Sequence, residues 1–243
     1  MTKNHALILA SGIGARMGAG LPKQFLPVAG KSVLEYSIQA FQDSGYIQDI
    51  NVVIHPEHRA RLMEIISAGR YTKVKRILDG GPTRRDSSMI GVNALEDDDD
   101  TVLIHDAVRP FVSGRIIREC TEALQEFGAI NVAVPCYDTI VEVGQGMLIK
   151  KIPPRGSLMR SQTPQGFKVG VIKEAHRRES LFGQGSEKIT DDCGLVVKHK
   201  ICRVHVIPGD EWNIKITYPR DLDLAEWIWG KIISARGYDL PPG

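Results

Sequence analysis

A short apolar run, ALILA, opens into a loop that holds four glycines and two fixed cations: Gly12, Gly14, Gly18 and Gly20, with Arg16 and Lys23. Glycines let backbone N–H groups approach an anion closely, and fixed cations can neutralise a polyphosphate held there. The loop lacks the Gly-Lys-Ser/Thr ending of a P-loop, and Met17 stands where a dinucleotide fingerprint needs its third glycine. Pro22 and Phe25 flank Lys23 and favour a held geometry over a solvated surface lysine. Further on, LIHDAVRP puts Asp106 at the end of another apolar run. A carboxylate there could hold Mg²⁺ beside a triphosphate, with Arg109 suited to a phosphate or carboxylate. The same stretch also reads as a capping aspartate and a surface arginine. DGGPTRRDSS offers Gly81 and Ser87 as a base-binding loop or as a plain turn before a helix.

For these groups to meet, they must share one edge of a sheet. The runs HALILA, DINVVIH, KVKRIL, TVLIHD and INVAVP read as strands. They alternate with helical patterns in SVLEYSIQAFQDSG, PEHRARLMEIISAG, TRRDSSMIGVNAL and SGRIIRECTEALQEFG. That alternation predicts an α/β fold with a doubly wound, mostly parallel sheet, whose ligands sit at the carboxyl ends of the strands. DTIVEVGQGMLIKKIP then reads as a hairpin about Gly-Gln-Gly, SQTPQGF as a loop, and Val169 to Arg178 as a helix. DDCGLVVKHK is a further helix, RVHVIP a strand and PRDLDLAEWIWGKII a terminal helix, while EDDDD at 96–100 reads as a solvated helix end. The expected organisation is a single domain over 1–243, with a projecting β-arm at about 137–160.

At 243 residues, 42% hydrophobic and 25% charged, the chain can bury a substantial core. A net charge of +2 gives no reason to expect a nucleic-acid or membrane partner. The four cysteines form no C-x-x-C pair, and MTKNHALILA lacks the basic region and long apolar run of a signal peptide, so a reduced, cytoplasmic location is expected. VVIHPEH has no acidic residue at the end of its strand, which weighs against a Rossmann dehydrogenase. A nucleotide-binding regulator without catalysis is the other class considered; Arg16, Lys23, Asp106 and Lys215 together weigh against it.

Six ordered motifs carry a resemblance: LILASGIGARMGAGLPKQF, GGPTRRDSS, LIHDAVRPF, RSQTPQGF, ITDDCGL and WNIKITYPRDLDLAE. From Ala6 to about Glu226 the chain resembles the cytidylyltransferases acting on methylerythritol 4-phosphate or ribitol 5-phosphate. The resemblance implies a Rossmann-like nucleotidyltransferase fold and a Mg²⁺-dependent transfer of CMP from CTP to a polyol phosphate, with release of pyrophosphate. It implies that Arg16, Lys23 and Lys215 are catalytic, with Arg16 and Lys23 gripping the CTP phosphates and stabilising charge that builds on the α-phosphorus. The backbone of Ala10, Gly12 and Gly81, with Ser87, would hold cytosine and ribose; Ser11 and Gly14 would also contact CTP, and Asp106 would bind CTP and the metal. Arg109 would face the acceptor, completed by Thr139, Arg155, Thr163 and Thr190. It further implies a homodimer that exchanges arms, so that Arg155 serves the partner's site, and it leaves His105 a structural part. Pro82 departs from the acidic or small residue many members carry. Val108, Phe111 and Cys193 look closer to the ribitol-phosphate branch, so ribitol 5-phosphate is the expected acceptor and 2-C-methyl-D-erythritol 4-phosphate the alternative.

Overall fold

Strand β1 (Asn4–Ala10) is apolar on both faces, and its side chains divide between two cores. Ala6, Ile8 and Ala10 pack into one cluster; Leu7 and Leu9 pack into the other. A strand buried on both sides is what a parallel sheet covered by helices requires. The computed structural model describes residues 2–12, 21–183 and 189–233.

The chain continues through a small hairpin, β2 (Pro27–Val28) and β3 (Lys31–Ser32), then α1 (Val33–Asp43), β4 (Asp49–Ile54), α2 (Arg59–Gly69) and β5 (Val74–Asp79). Next come α3 (Arg84–Asn93), β6 (Thr101–Asp106), α4 (Gly114–Ala123) and β7 (Ala129–Pro135). A second hairpin, β8 (Glu142–Val143) and β9 (Ile149–Lys151), leads into β10 (Met159–Lys168), α5 (Val169–Phe182), α6 (Asp192–Lys198), β11 (Val204–Pro208) and α7 (Arg220–Ile228). The main sheet has seven strands in the order β11-β7-β10-β6-β1-β4-β5. Its pairings are parallel except at β10, which runs antiparallel to both β6 and β7. Helices α1, α2 and α4 cover one face, where Leu34, Ile38, Leu62 and Ile117 meet the strands. Helices α3, α5 and α6 cover the other, through Val92, Ile172 and Val196. The doubly wound sheet expected from the alternating pattern is therefore present.

Local chemistry sets the helix starts. Ser32 and Glu35 form a reciprocal capping box at α1, and Thr83 and Asp86 form another at α3. Each satisfies backbone N–H groups that the first helical turn leaves without partners. The α3 box stands directly after the loop that carries Gly80 and Gly81, and a Cβ on Gly81 would stand 2.5 Å from that of Asp86.

Two expectations are corrected. SQTPQGF is not a loop: it lies within β10, between β7 and β6, with a register irregularity between Ser161 and Gln165. Its polar side chains bond across the sheet rather than fill the core. Asp100, read as part of a solvated charge run, is buried, accepts the backbone N–H of Lys3 at 2.7 Å, and lies 2.9 Å from Nε2 of His5. The hairpin at β8–β9 is antiparallel as expected, and Ile140, Val141, Val143, Met147, Leu148, Ile149 and Ile152 around it are all exposed.

Candidate active site

The strand order reverses beside β1. From β1 the chain winds to β4 and β5, then returns to β6 on the other side of β1. The carboxyl ends of β1 and β6 thus frame a switch-point crevice, where ligands of open α/β sheets bind. A cavity of ≈ 680 Å³ lies there, lined by Ala10 at the end of β1, Ser11 and Gly12 just after it, Gly80 to Arg84, Lys23, His55, Asp106, Val108 and Lys215. A second cavity of ≈ 480 Å³ is lined by Thr83, Arg84, Arg85, Glu179, Thr190, Asp191 and Asp192. Arg84 lines both, and so stands on the wall between them.

Asp106 is buried at the end of β6, and each carboxylate oxygen faces a cation. Oδ1 accepts from Arg84 Nε at 3.0 Å and Oδ2 from Lys215 Nζ at 2.6 Å. Burial alone would raise the Asp106 pKa, but the charges of Arg84 and Lys215 outweigh it and hold the group far below the ordinary carboxylate range. Arg84 Nη1 also donates to Asp192 at 2.8 Å, so one guanidinium joins β6, α3 and α6. Its remaining nitrogen, Nη2, is buried and has no hydrogen-bond partner among the described residues. Asp192 is fixed in turn by Ser88 Oγ at 2.6 Å and by its own N–H on Gln165 Oε1 at 3.1 Å.

Behind Asp106, a chain of hydrogen bonds sets one histidine tautomer. The Asp106 N–H donates to Thr163 Oγ1 at 3.1 Å, and Thr163 Oγ1 lies 3.1 Å from His105 Nδ1. His105 Nε2 lies 3.0 Å from the carbonyl of Arg109. A carbonyl only accepts, so Nε2 carries the proton and Nδ1 accepts from the Thr163 hydroxyl. Burial pushes the His105 pKa down to about 4, which leaves the ring neutral at ordinary pH. The structural part expected for His105 is what this geometry gives it.

The glycine loops meet by close approach. A Cβ on Gly80 would stand 2.3 Å from the Ser11 Cβ, so that contact admits only glycine. Ser11 and Ser87 hydroxyls pair at 2.7 Å, and Ser87 Oγ also receives the Gly81 N–H at 3.2 Å. Gln24 donates its amide to the carbonyls of Ala10 at 2.7 Å and Gly12 at 3.0 Å, bracing the start of the loop. Lys23 Nζ donates to the Ile216 carbonyl at 2.9 Å, which ties the loop to the segment bearing Lys215.

The expected site residues fall into distinct places. Ala10, Ser11, Gly12, Lys23, Gly81, Asp106 and Lys215 share the larger cavity, and Thr190 lines the smaller one. Gly14 and Arg16 lie outside the described residues. Ser87 is fully buried and acts on Ser11 and Gly81 rather than lining the cavity. Thr163 is buried against Asp106 and His105. Arg109 is 9% exposed and lines neither cavity; its Nη1 donates to the Asn213 carbonyl at 2.8 Å. Thr139 and Arg155 are exposed on the segment around the β8–β9 hairpin. Phe111 and Cys193 face the core and only Val108 reaches the cavity, so two of the three residues that favoured a ribitol acceptor have no contact with it. Arg84, Gln24 and Asp192 were missed: a paired arginine at a helix start and a glutamine after a lysine look like surface chemistry until the tertiary partners are known.

Comparison with known proteins bears on the family and the fold. Residues 4–231 match the family model of 2-C-methyl-D-erythritol 4-phosphate cytidylyltransferase. The protein of that name from Thermobifida fusca is 43% identical over 228 residues, covering 91% of each chain. A bifunctional ribulose 5-phosphate reductase/CDP-ribitol pyrophosphorylase from Haemophilus influenzae is 41% identical over 97% of this chain, which spans 49% of that protein. The crystal structure of 4-diphosphocytidyl-2C-methyl-D-erythritol synthase from Anaerococcus prevotii superposes with a TM-score of 0.84 at 28% identity, covering 95% of this chain and 97% of the other. With a doubly wound sheet, a glycine loop at its switch point and a match over nearly its whole length, the chain is a nucleotidyltransferase and belongs to the 2-C-methyl-D-erythritol 4-phosphate cytidylyltransferase family.

Proposed function

We propose that the protein transfers CMP from CTP to 2-C-methyl-D-erythritol 4-phosphate. A phosphate oxygen of the acceptor attacks the α-phosphorus, the bond to the β-phosphate breaks, and pyrophosphate leaves. Both reactants are anions and the nucleophile is already ionised, so catalysis rests on alignment and charge neutralisation rather than on a base. The observation that carries the reading is the Asp106 carboxylate, gripped by Arg84 and Lys215 at the sheet's switch point beside the glycine loop.

The acceptor revises the expectation from sequence. Ribitol 5-phosphate was favoured on Val108, Phe111 and Cys193, yet Phe111 and Cys193 belong to the core. The family match and the similarity to the Thermobifida protein over 91% of both chains support the methylerythritol acceptor instead. The similarity to the Haemophilus protein is the observation that keeps ribitol 5-phosphate as the second reading.

In this reading, Lys23 and Arg16 neutralise the triphosphate. The backbone of Ala10, Gly12 and Gly81 holds the nucleoside in the larger cavity. The acceptor enters the smaller cavity at Thr190, and Arg84 stands where the two phosphates approach. Asp106 suits a Mg²⁺ ion: it is ionised, and each oxygen keeps a lone pair beyond its cation contact. Bound there, Mg²⁺ would add charge neutralisation at the triphosphate. The exposed apolar residues around the β8–β9 hairpin call for cover, because an isolated two-stranded ribbon is marginal in water. A two-fold partner supplies that cover and brings Thr139 and Arg155 to the neighbouring site.

Pyrophosphate release from CTP and Mg²⁺, with each polyol phosphate offered in turn, tests the reaction. Release that depends on 2-C-methyl-D-erythritol 4-phosphate supports it; no release with either acceptor rejects it.

A further inference from the structure

Outside the reacting groups, His55, Glu57 and His58 bring one ligand atom each within 4.8 Å of one another. They follow β4 on a single 3₁₀ turn, Pro56–His58, closed by the His58 N–H on the His55 carbonyl at 2.9 Å. Proline at the start of the turn fixes its own φ and so helps hold the turn's backbone. His55 Nδ1 lies 3.8 Å from Glu57 Oε2. In a tetrahedral site with metal–ligand bonds of about 2.1 Å, ligand atoms sit about 3.4 Å apart, so closing this pair needs only a few tenths of an ångström.

Two further features point to a ligand. His55 Nδ1 is buried and has no hydrogen-bond partner among the described residues, a state that costs free energy unless something binds it. The His58 ring is held edge-on against Phe25, with centroids 5.4 Å apart, and Phe25 is part of the core. The adjoining cations are turned to other partners: Arg59 pairs with Asp79 at 3.0 Å, and Arg61 lies over the Phe25 ring.

We propose that His55, Glu57 and His58 bind a borderline transition-metal dication of the zinc class, at a site separate from Asp106. Two imidazole nitrogens and one carboxylate suit such an ion, whereas Mg²⁺ prefers a shell of oxygens. Three protein ligands leave a fourth position for water. His55 and Pro56 also line the nucleotide cavity, so an ion at this turn fixes one wall of it. The two sites divide by ligand chemistry, oxygen at Asp106 and nitrogen at the turn.

The test titrates Co²⁺ alone into tag-free, metal-stripped protein kept in excess Mg²⁺, reads the visible d–d absorption, and then adds Zn²⁺ as competitor. One saturable equivalent is expected, undisturbed by Mg²⁺ and displaced by Zn²⁺. His58→Gln and Glu57→Gln should each weaken it at least about tenfold. Glu57 is 79% exposed, so Glu57→Gln leaves the core untouched and keeps the test clear of misfolding. Absence of saturable Co²⁺ binding overturns the proposal, as does binding that neither substitution weakens.

Discussion

Lys215 Nζ lies 2.6 Å from Oδ2 of Asp106, although 109 residues of chain separate them. The contact joins the end of β6 to the segment leading into α7, and Arg84 closes the same carboxylate from the other side. Asp106 is thereby kept ionised in a buried place, and two cations are held where a polyphosphate would bring negative charge. Asp106→Asn should lower kcat at least about 100-fold, the scale of a lost transition-state electrostatic group. It should also lower stability by only about 1 kcal/mol, because the Lys215 and Arg84 side chains are 40% and 28% exposed and Arg84 keeps its pair with Asp192. Steady-state kinetics and urea unfolding on one preparation check both; near-normal turnover would contradict the assignment.

Lys23 is only half-buried and donates to a backbone carbonyl, so its removal opens no core cavity. Lys23→Ala should cut kcat at least about 100-fold with little change in melting temperature. Mixed with Arg155→Ala chains, it should regain part of the activity if arms are exchanged, since one hybrid site then has both residues. Verified heterodimers without rescue would remove the shared site.

Arg84 bonds two carboxylates with different nitrogens, Asp106 through Nε and Asp192 through Nη1. Lysine keeps the charge but offers a single point and cannot span both. Arg84→Lys should therefore lower kcat/KM about tenfold or more, with KM rising for both CTP and the acceptor. A KM change for CTP alone would place Arg84 in the nucleotide site only.

Those residues mark how far the sequence could be read. β1, β4, β6 and β7 were legible because strands buried on both faces are continuous apolar runs, and α1 because its apolar residues recur at three- and four-residue spacing. β10 was not, because Gln162, Thr163 and Gln165 are buried for hydrogen bonding, and hydropathy reads such a strand as a loop. Asp106 and Lys23 stood out through their motifs. Arg84 did not, since nothing local distinguishes it from Arg85; only its contacts across 22 and 108 residues do.

His105 gives a pH signature. Its folded pKa of about 4 lies below the ordinary 6.5, so the unfolded chain binds the extra proton between those values. Stability is then full above 6.5 and falls as the pH drops toward 4, by on the order of 3 kcal/mol from this group. Urea midpoints measured across that range should decline with falling pH, and His105→Gln should flatten part of the decline. An unchanged slope would show that His105 is not the titrating group. The rate near neutral pH should show no titration from His105, which stays neutral there.

Direct competition between the two polyol phosphates tests the identity of the acceptor. With CTP, Mg²⁺ and equal concentrations of the two polyol phosphates in one vessel, the initial ratio of CDP-polyols equals the ratio of kcat/KM values. 4-Diphosphocytidyl-2-C-methyl-D-erythritol should exceed CDP-ribitol by at least about tenfold, as expected of a site that hydrogen-bonds its substrate's hydroxyls. CDP-ribitol as the major product would contradict it.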